Sequence, residues 1–284
     1  MPGSLSRDDA MAAAVGCKQI LSEFHMTDVE IAFRESVFTR SAGPQLLDYP
    51  DFLALYATTS VRVPFTPAIG LHIAPRTTSQ FEVEGTGGLY ICEGGESNRV
   101  FVLTCRHVAL PLTVYRNQLY AHDKTGQPRR QVVLLGTKAY QDAVESIMDK
   151  IASGHLNVDW NKQKLANLGE AREDEDAERA RVRKRVEGEL ESAKQSIETL
   201  NEFHSEITKF WSVVSQRVLG HVFHSPPLSV GTGPKPFTED WALIELHAEK
   251  INWNRFKGNV VDLGIFQSVS LRSASLTIMY RDQN

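Results

Sequence analysis

Cysteine is scarce in this chain, with only Cys17, Cys92 and Cys105 among 284 residues. An odd, low count at this length builds no disulfide framework and fits a reducing compartment. Long apolar runs are missing as well, and none approaches the roughly 20 residues that a membrane-spanning helix needs. The N-terminal MPGSLSRDDAMAAAVGCKQI lacks a basic start followed by an extended apolar core, so no signal peptide is expected. Positive charge is not in excess: 31 Lys and Arg stand against 35 Asp and Glu, a formal charge of −4. With a pI near 6.2, the chain has no general attraction to nucleic acid or an anionic membrane. His221 and His224 lack companion ligands at metal-site spacing. These absences lead to the expectation of a soluble cytoplasmic protein with no cofactor, no metal, and no nucleic-acid or membrane partner. What is present is an ordinary globular composition, 42% hydrophobic and 23% charged, in a length that suits one large domain or two ordinary ones.

The periodicity of apolar residues changes along the chain. Residues 8–24 have helical spacing, with Met11, Val15, Ile20 and Leu21 available for one face. Residues 27–38 are ambiguous: Val29, Ile31 and Phe33 alternate as in a half-buried strand, whereas Glu30, Ala32 and Arg34 suit a helix. SAGPQLLDYPDF, punctuated by Gly43, Pro44 and Pro50, reads as loop. Short apolar runs between turn signals follow, namely SVRVPF (60–65), AIGLHI (68–73), GGLYIC (87–92), RVFVLT (99–104) and QVVLLG (131–136). EGGESN (93–98) reads as a hairpin turn between two of them. Closely spaced short strands of this kind indicate a β-barrel or sandwich.

From Lys138 the spacing switches to alternating fours and threes, running from Tyr140 to Leu168 with Gly154 and Asn161 as weak members. After the acidic EDEDAE a second such stripe runs from Val186 to Val214, with His204 as its weak member. Two heptad-like stripes describe an antiparallel helical hairpin, packed on itself or, alternatively, docking a partner helix. Strand character returns at WALIEL (241–246), beyond the Pro/Gly-rich SPPLSVGTGPKPFTED. The expected organisation is therefore a helical or irregular extension (1–58), a β domain (59–137 and 220–264) interrupted by the hairpin (138–219), and an unassigned tail (265–284).

His107 follows the apolar run of RVFVLTCRHVALPL, an odd place for a histidine unless it is a satisfied core residue or a working one. Cys105, two residues earlier, reads as a buried free thiol in a strand, and Cys92 is expected on a strand paired with it, without a bridge between the two. GTGG (85–88), then LYI, the turn and RVFVLTCRHVA together resemble the N-terminal barrel of trypsin/chymotrypsin-like (PA-clan) serine peptidases. In that family a small-residue segment precedes a strand and an L-T-x-x-H element carries the general base. EDWALIEL is similar to the family's D-[IFW]-A-[LV]-[IL] motif. The resemblance covers roughly residues 68–262 apart from the hairpin, and the layout is also similar to fungal trypsin-like proteins with a long helical insertion. It implies an α+β chain in which a trypsin-like N-terminal β-barrel, an incomplete protease fold, is interrupted by the hairpin. It also implies His107 as general base, Asp240 as its orienting carboxylate, and peptide or protein substrates for the complete family architecture. The chemistry needs both groups: a serine hydroxyl is a poor nucleophile until an imidazole takes its proton, and the imidazole needs a carboxylate to fix its tautomer. His107 and Asp240 are 133 residues apart, and 51 apart once the 82 residues of the insertion are set aside. The corresponding separation in chymotrypsin is about 45.

The nucleophile is missing. The family carries its serine in a G-x-S-G segment of a second barrel, which also forms the oxyanion hole, and no such tetrapeptide occurs here. Chymotrypsin places that serine roughly 93 residues past the aspartate, whereas 44 residues follow Asp240. The expectation is a half domain, truncated or a pseudo-protease, inactive alone, whose exposed barrel flank near His107 or hairpin promotes self-association. The alternative is a non-catalytic interaction protein that works through the hairpin.

Overall fold

A computed structural model describes residues 7–31, 43–49, 57–76, 83–123, 127–171, 176–232 and 237–261. The chain divides into two units, residues 1–41 and 42–284. The first carries helix α1 (Arg7–Glu23), whose opening turn holds Asp8 and Asp9, favourable charges at a helix N-terminus. Met11, Val15 and Ile20 on this helix are exposed. Residues 27–31 are irregular, and the rest of the ambiguous stretch lies outside the described residues.

In the second unit, helix α2 (Thr59–Arg62) runs into a 3₁₀ turn, Val63–Phe65. This overturns the strand expected at SVRVPF. Its valines favour a strand, but Pro64 has no N–H for a ladder and sits at the start of the 3₁₀ turn, where none is needed. The following strands are β1 (Leu71–Pro75), β2 (Gly85–Gly87), β3 (Leu89–Gly94) and β4 (Ser97–Thr104). In AIGLHI the strand itself starts at Leu71, after Gly70 turns the chain with φ +93°, while Ile69 makes an isolated parallel bridge with Val261. After β4 come a one-turn helix, α3 (Arg106–Ala109), then β5 (Tyr120–Ala121) and β6 (Gln131–Leu134). The long helices α4 (Thr137–Leu168) and α5 (Ala177–Phe210) follow. The chain then returns to strands: β7 (Val218–Ser225), β8 (Ser229–Thr232), β9 (Phe237–Glu239) and β10 (Ala242–Leu246).

The main sheet is antiparallel in the order β2-β1-β6-β7-β10-β4-β3, with β5 also on β7 and β8–β9 forming a separate ribbon. β2 and β3 lie at opposite ends of that order, yet only Gly88 separates them in sequence. Gly88 N–H donates to Leu103 O of β4 at 2.8 Å, and Thr104 Oγ1 donates to Thr86 O of β2, also at 2.8 Å. Two sheet ends can meet across one residue only if the sheet curls, so it forms a half-barrel. The GTGG run serves this curl. A Cβ on Gly85 would sit 2.3 Å from Val108 Cγ2, and one on Gly87 would sit 2.8 Å from Val102 Cγ1. Inside the curl Ile73, Val132, Val222 and Ile244 are fully buried.

The helices α4 and α5 pack along the two stripes, with Ile147, Ile151, Leu200 and Ile207 buried and Val158 and Val186 continuing the seam. Gly154 is their closest-fitting glycine, since a Cβ there would lie 2.7 Å from Ile197 Cγ1. At the base of the hairpin Phe65 meets Phe203 and Trp211 edge-on, with ring centroids 6.1 and 5.3 Å away, and joins the barrel core. Beyond β10 the chain crosses the sheet end. Tyr90 N–H donates to Asn259 Oδ1 at 2.7 Å, Asn259 Nδ2 donates to Tyr90 O at 3.1 Å, and Phe256 packs edge-on against Tyr90. The tail, 265–284, lies outside the described residues. Among the described residues no helix is long and apolar enough to cross a membrane.

Candidate functional site

The register of two strands explains why residues 133 apart in sequence meet. β4 and β10 run antiparallel with Ala242 opposite Thr104. Asp240, two residues before Ala242, therefore comes level with the segment just past Thr104. There the chain turns at Cys105 into α3, the Cys105 carbonyl accepting the N–H groups of Val108 and Ala109 at 3.2 Å each. This single turn buries Arg106 and Val108 and leaves His107 outward, its side chain 54% exposed.

Asp240 grips His107 at two points. Its Oδ1 accepts the His107 backbone N–H at 3.0 Å, and its Oδ2 contacts His107 Nδ1 at 2.5 Å. A carboxylate only accepts, so Nδ1 carries the proton and Nε2 is the ring nitrogen left open. Among the described residues Nε2 has no hydrogen-bond partner. Partial burial alone would raise the Asp240 carboxyl. The His107 ring, together with the backbone N–H groups of His107 and Arg106, outweighs it and holds the carboxyl below its ordinary range.

Cys105 departs from the sequence reading. β4 ends one residue before it, so its side chain is exposed rather than buried. β3, which carries Cys92, does pair with β4, but Cys105 lies one residue past β4, and both are free thiols. Donor atoms of Cys105, His107 and Asp240 lie within 4.8 Å of one another. Among the described residues this is the cluster of three or more His, Cys, Asp or Glu whose donor atoms come this close together. Partial burial and then the Asp240 charge push the Cys105 thiol up, which disfavours a resting thiolate.

Arg106, absent from the sequence reading, anchors the site from inside. It is 1% exposed, and its Nη1 donates to Ser225 Oγ and to Pro226 O, both at 2.9 Å. Its Nη2 donates to Arg116 O at 3.1 Å and Gln118 O at 3.0 Å. Ser225, fully buried, donates its hydroxyl to Trp241 O at 2.9 Å. The immediate neighbours of His107 and Asp240 are thus tied through one buried serine, and Trp241 stacks on His224 with centroids 5.6 Å apart. The only trace of this in the sequence is an arginine placed at the end of a buried apolar run.

A separate histidine group lies on the sheet. His221 is 3% exposed, with the His122 ring edge-on at 4.9 Å and the His247 ring stacked at 6.0 Å. Burial first, then the charges of Arg129, His122 and His247, lower the His221 imidazole to about 4. Exposed apolar side chains adjoin the His107–Asp240 pair in sequence: Leu112 and Val114 past α3, and Val230 and Phe237 on the β8–β9 ribbon.

Comparison of the chain with family models, with curated proteins and with solved structures finds no match in any of the three. The reading of the site therefore rests on its own geometry.

Proposed function

We propose that this chain carries the base-and-carboxylate half of a trypsin-like serine peptidase site and does not hydrolyse peptides by itself. The observation that carries the reading is the two-point grip of Asp240 on His107, through Nδ1 at 2.5 Å and the backbone N–H at 3.0 Å. That grip is what a general base needs, because it fixes the ring and the tautomer and leaves Nε2 free to take a proton. The antiparallel half-barrel and the aspartate just ahead of β10 agree with the same family reading. Against activity of this chain alone stands the lack of a G-x-S-G segment. Without a nucleophile and an oxyanion hole, most of the rate enhancement is lost.

Two assays separate the parts of this reading. With casein or a fluorogenic peptide the purified chain is expected to give no turnover, and turnover that His107→Ala abolishes would overturn the inactive half. With an activated acetyl ester, which needs only an imidazole, His107→Ala is expected to remove a share of the hydrolysis exceeding that of any other surface histidine. An unchanged ester rate would overturn the base role.

A second reading, a non-catalytic interaction module, is favoured by Leu156 and Trp160, which stand 71% and 61% exposed on α4. Light scattering on a Leu156→Glu/Trp160→Glu variant tests it: loss of self-association relative to the parent chain supports a working hairpin face, and an identical monomeric mass in both counts against it.

A further inference from the structure

We propose that Cys105, His107 and Asp240 form a binding site for a divalent zinc-like cation, a role that does not depend on the peptidase reading of the same pair. A sulfur, an imidazole nitrogen and a carboxylate oxygen are the donor types of three-ligand zinc sites, in which a fourth position stays open to water or a substrate. The thiol excludes the hard cations Mg²⁺ and Ca²⁺ as the preferred occupant, because these take oxygen ligands.

The geometry is nearly assembled. The donors already lie within 4.8 Å of one another, whereas donors around a tetrahedral zinc are about 3.3–3.8 Å apart, given bond lengths of about 2.0–2.3 Å. Cys105 and His107 open the same turn of α3, and Asp240 is set beside them by the β4–β10 register. Their sequence neighbours are held by buried groups: the Arg106 side chain, between Cys105 and His107, bonds Ser225, and the Ser225 hydroxyl donates to Trp241 O beside Asp240. Such support keeps a site at its working geometry. The two terminal nitrogens of the Arg106 guanidinium are directed at Ser225, Pro226, Arg116 and Gln118, away from the carboxylate. The exposed side of His107 and of Cys105 gives an ion a path in. On binding, the Cys105 thiol releases its proton to solvent, the His107 ring shifts its proton from Nδ1 to Nε2 through solvent so that Nδ1 and the carboxylate can both donate lone pairs, and the 2.5 Å His107–Asp240 contact opens by about an ångström.

The test uses the full chain with Zn²⁺ and Co²⁺ as probes. Calorimetry is expected to give one Zn²⁺ per chain, and Co²⁺ to give a thiolate charge-transfer band together with the visible bands of a four-coordinate ion. Cys105→Ser is expected to abolish the charge-transfer band and, like His107→Ala, to weaken Zn²⁺ by at least about 10- to 100-fold. On the unmutated chain Zn²⁺ should protect Cys105 from iodoacetamide, read by peptide mass spectrometry, while the exposed Cys17 and Cys92 still react. This readout needs no variant to fold. Equal alkylation of Cys105 with and without Zn²⁺, a Co²⁺ spectrum without the thiolate band, or undiminished Zn²⁺ affinity in Cys105→Ser would each overturn the proposal. None of these outcomes depends on peptide or ester turnover.

Discussion

In the half-barrel, side chains meet backbone from distant parts of the chain. Val108 packs where a Cβ on Gly85 would be, and Arg106 is held by carbonyls from the segments at 116–118 and 225–226. The hairpin is built differently, from helices of 32 and 34 residues that meet along one stripe and leave Leu156 and Trp160 in solvent. The first kind of contact is non-local and pins several segments at once, while the second joins consecutive elements. A site whose groups come from segments far apart in sequence belongs on the first. This contrast makes the same kind of substitution costly in one region and cheap in the other.

The largest effect is expected at Arg106. Arg106→Met leaves the carbonyls of Arg116, Gln118 and Pro226 and the Ser225 hydroxyl short of a donor inside the protein. A loss of about 3–5 kcal/mol in urea unfolding follows from the orphaned groups. A loss below about 1 kcal/mol would break the contrast between the regions. Acid comes next. His221 in the fold sits at about 4 against an ordinary 6.5, so the unfolded chain binds the extra proton first. Its contribution is fully present above about pH 6.5, falls as pH drops towards about 4, and is at most about 3 kcal/mol. Burial contributes the largest part of this, and Arg129, His122 and His247 contribute the rest, while the charge of Glu245, 3.8 Å from His221 Nε2, acts in the opposite direction. Denaturation midpoints across that range should flatten in His221→Phe, and an equally steep loss in that variant would contradict the assignment.

Glycine substitutions give the sharpest direct comparison. Gly85→Ala forces its Cβ to 2.3 Å from Val108, and is expected to cost about 1–3 kcal/mol. Gly154→Ala meets Ile197 Cγ1 at 2.7 Å, but a helix gains about 1 kcal/mol from the same change. Its net cost should therefore be below about 1 kcal/mol by thermal unfolding, and the reverse order of the two glycines would refute the comparison. Leu156→Ala, on the solvent side of α4, is expected to stay within about 0.5 kcal/mol.

The same contrast governs how much could be read from the sequence. The two helical stripes were legible because helical packing repeats locally, and even Gly154, a weak member of the stripe, has its reason in the neighbouring Ile197. The glycine run and the histidine and aspartate were legible as motifs, and strand register brings the latter two together. What was not legible depends on partners far away in sequence. Nothing near Arg106 announces the carbonyls that satisfy it, and nothing near His221 announces the rings of His122 and His247. Local misreadings have local causes: Pro64 turned a valine-rich run into a 3₁₀ turn, and β4 stopped one residue short of Cys105.

The central claim is that Asp240 holds His107 as an Nδ1–H imidazole with Nε2 free. Nitrogen-15 correlation spectra of the neutral His107 ring test it most directly. The expected result is a protonated Nδ1 and an unprotonated Nε2 in the parent chain, with that preference lost in Asp240→Asn. A ring carrying its proton on Nε2, or one unchanged by Asp240→Asn, would contradict the account.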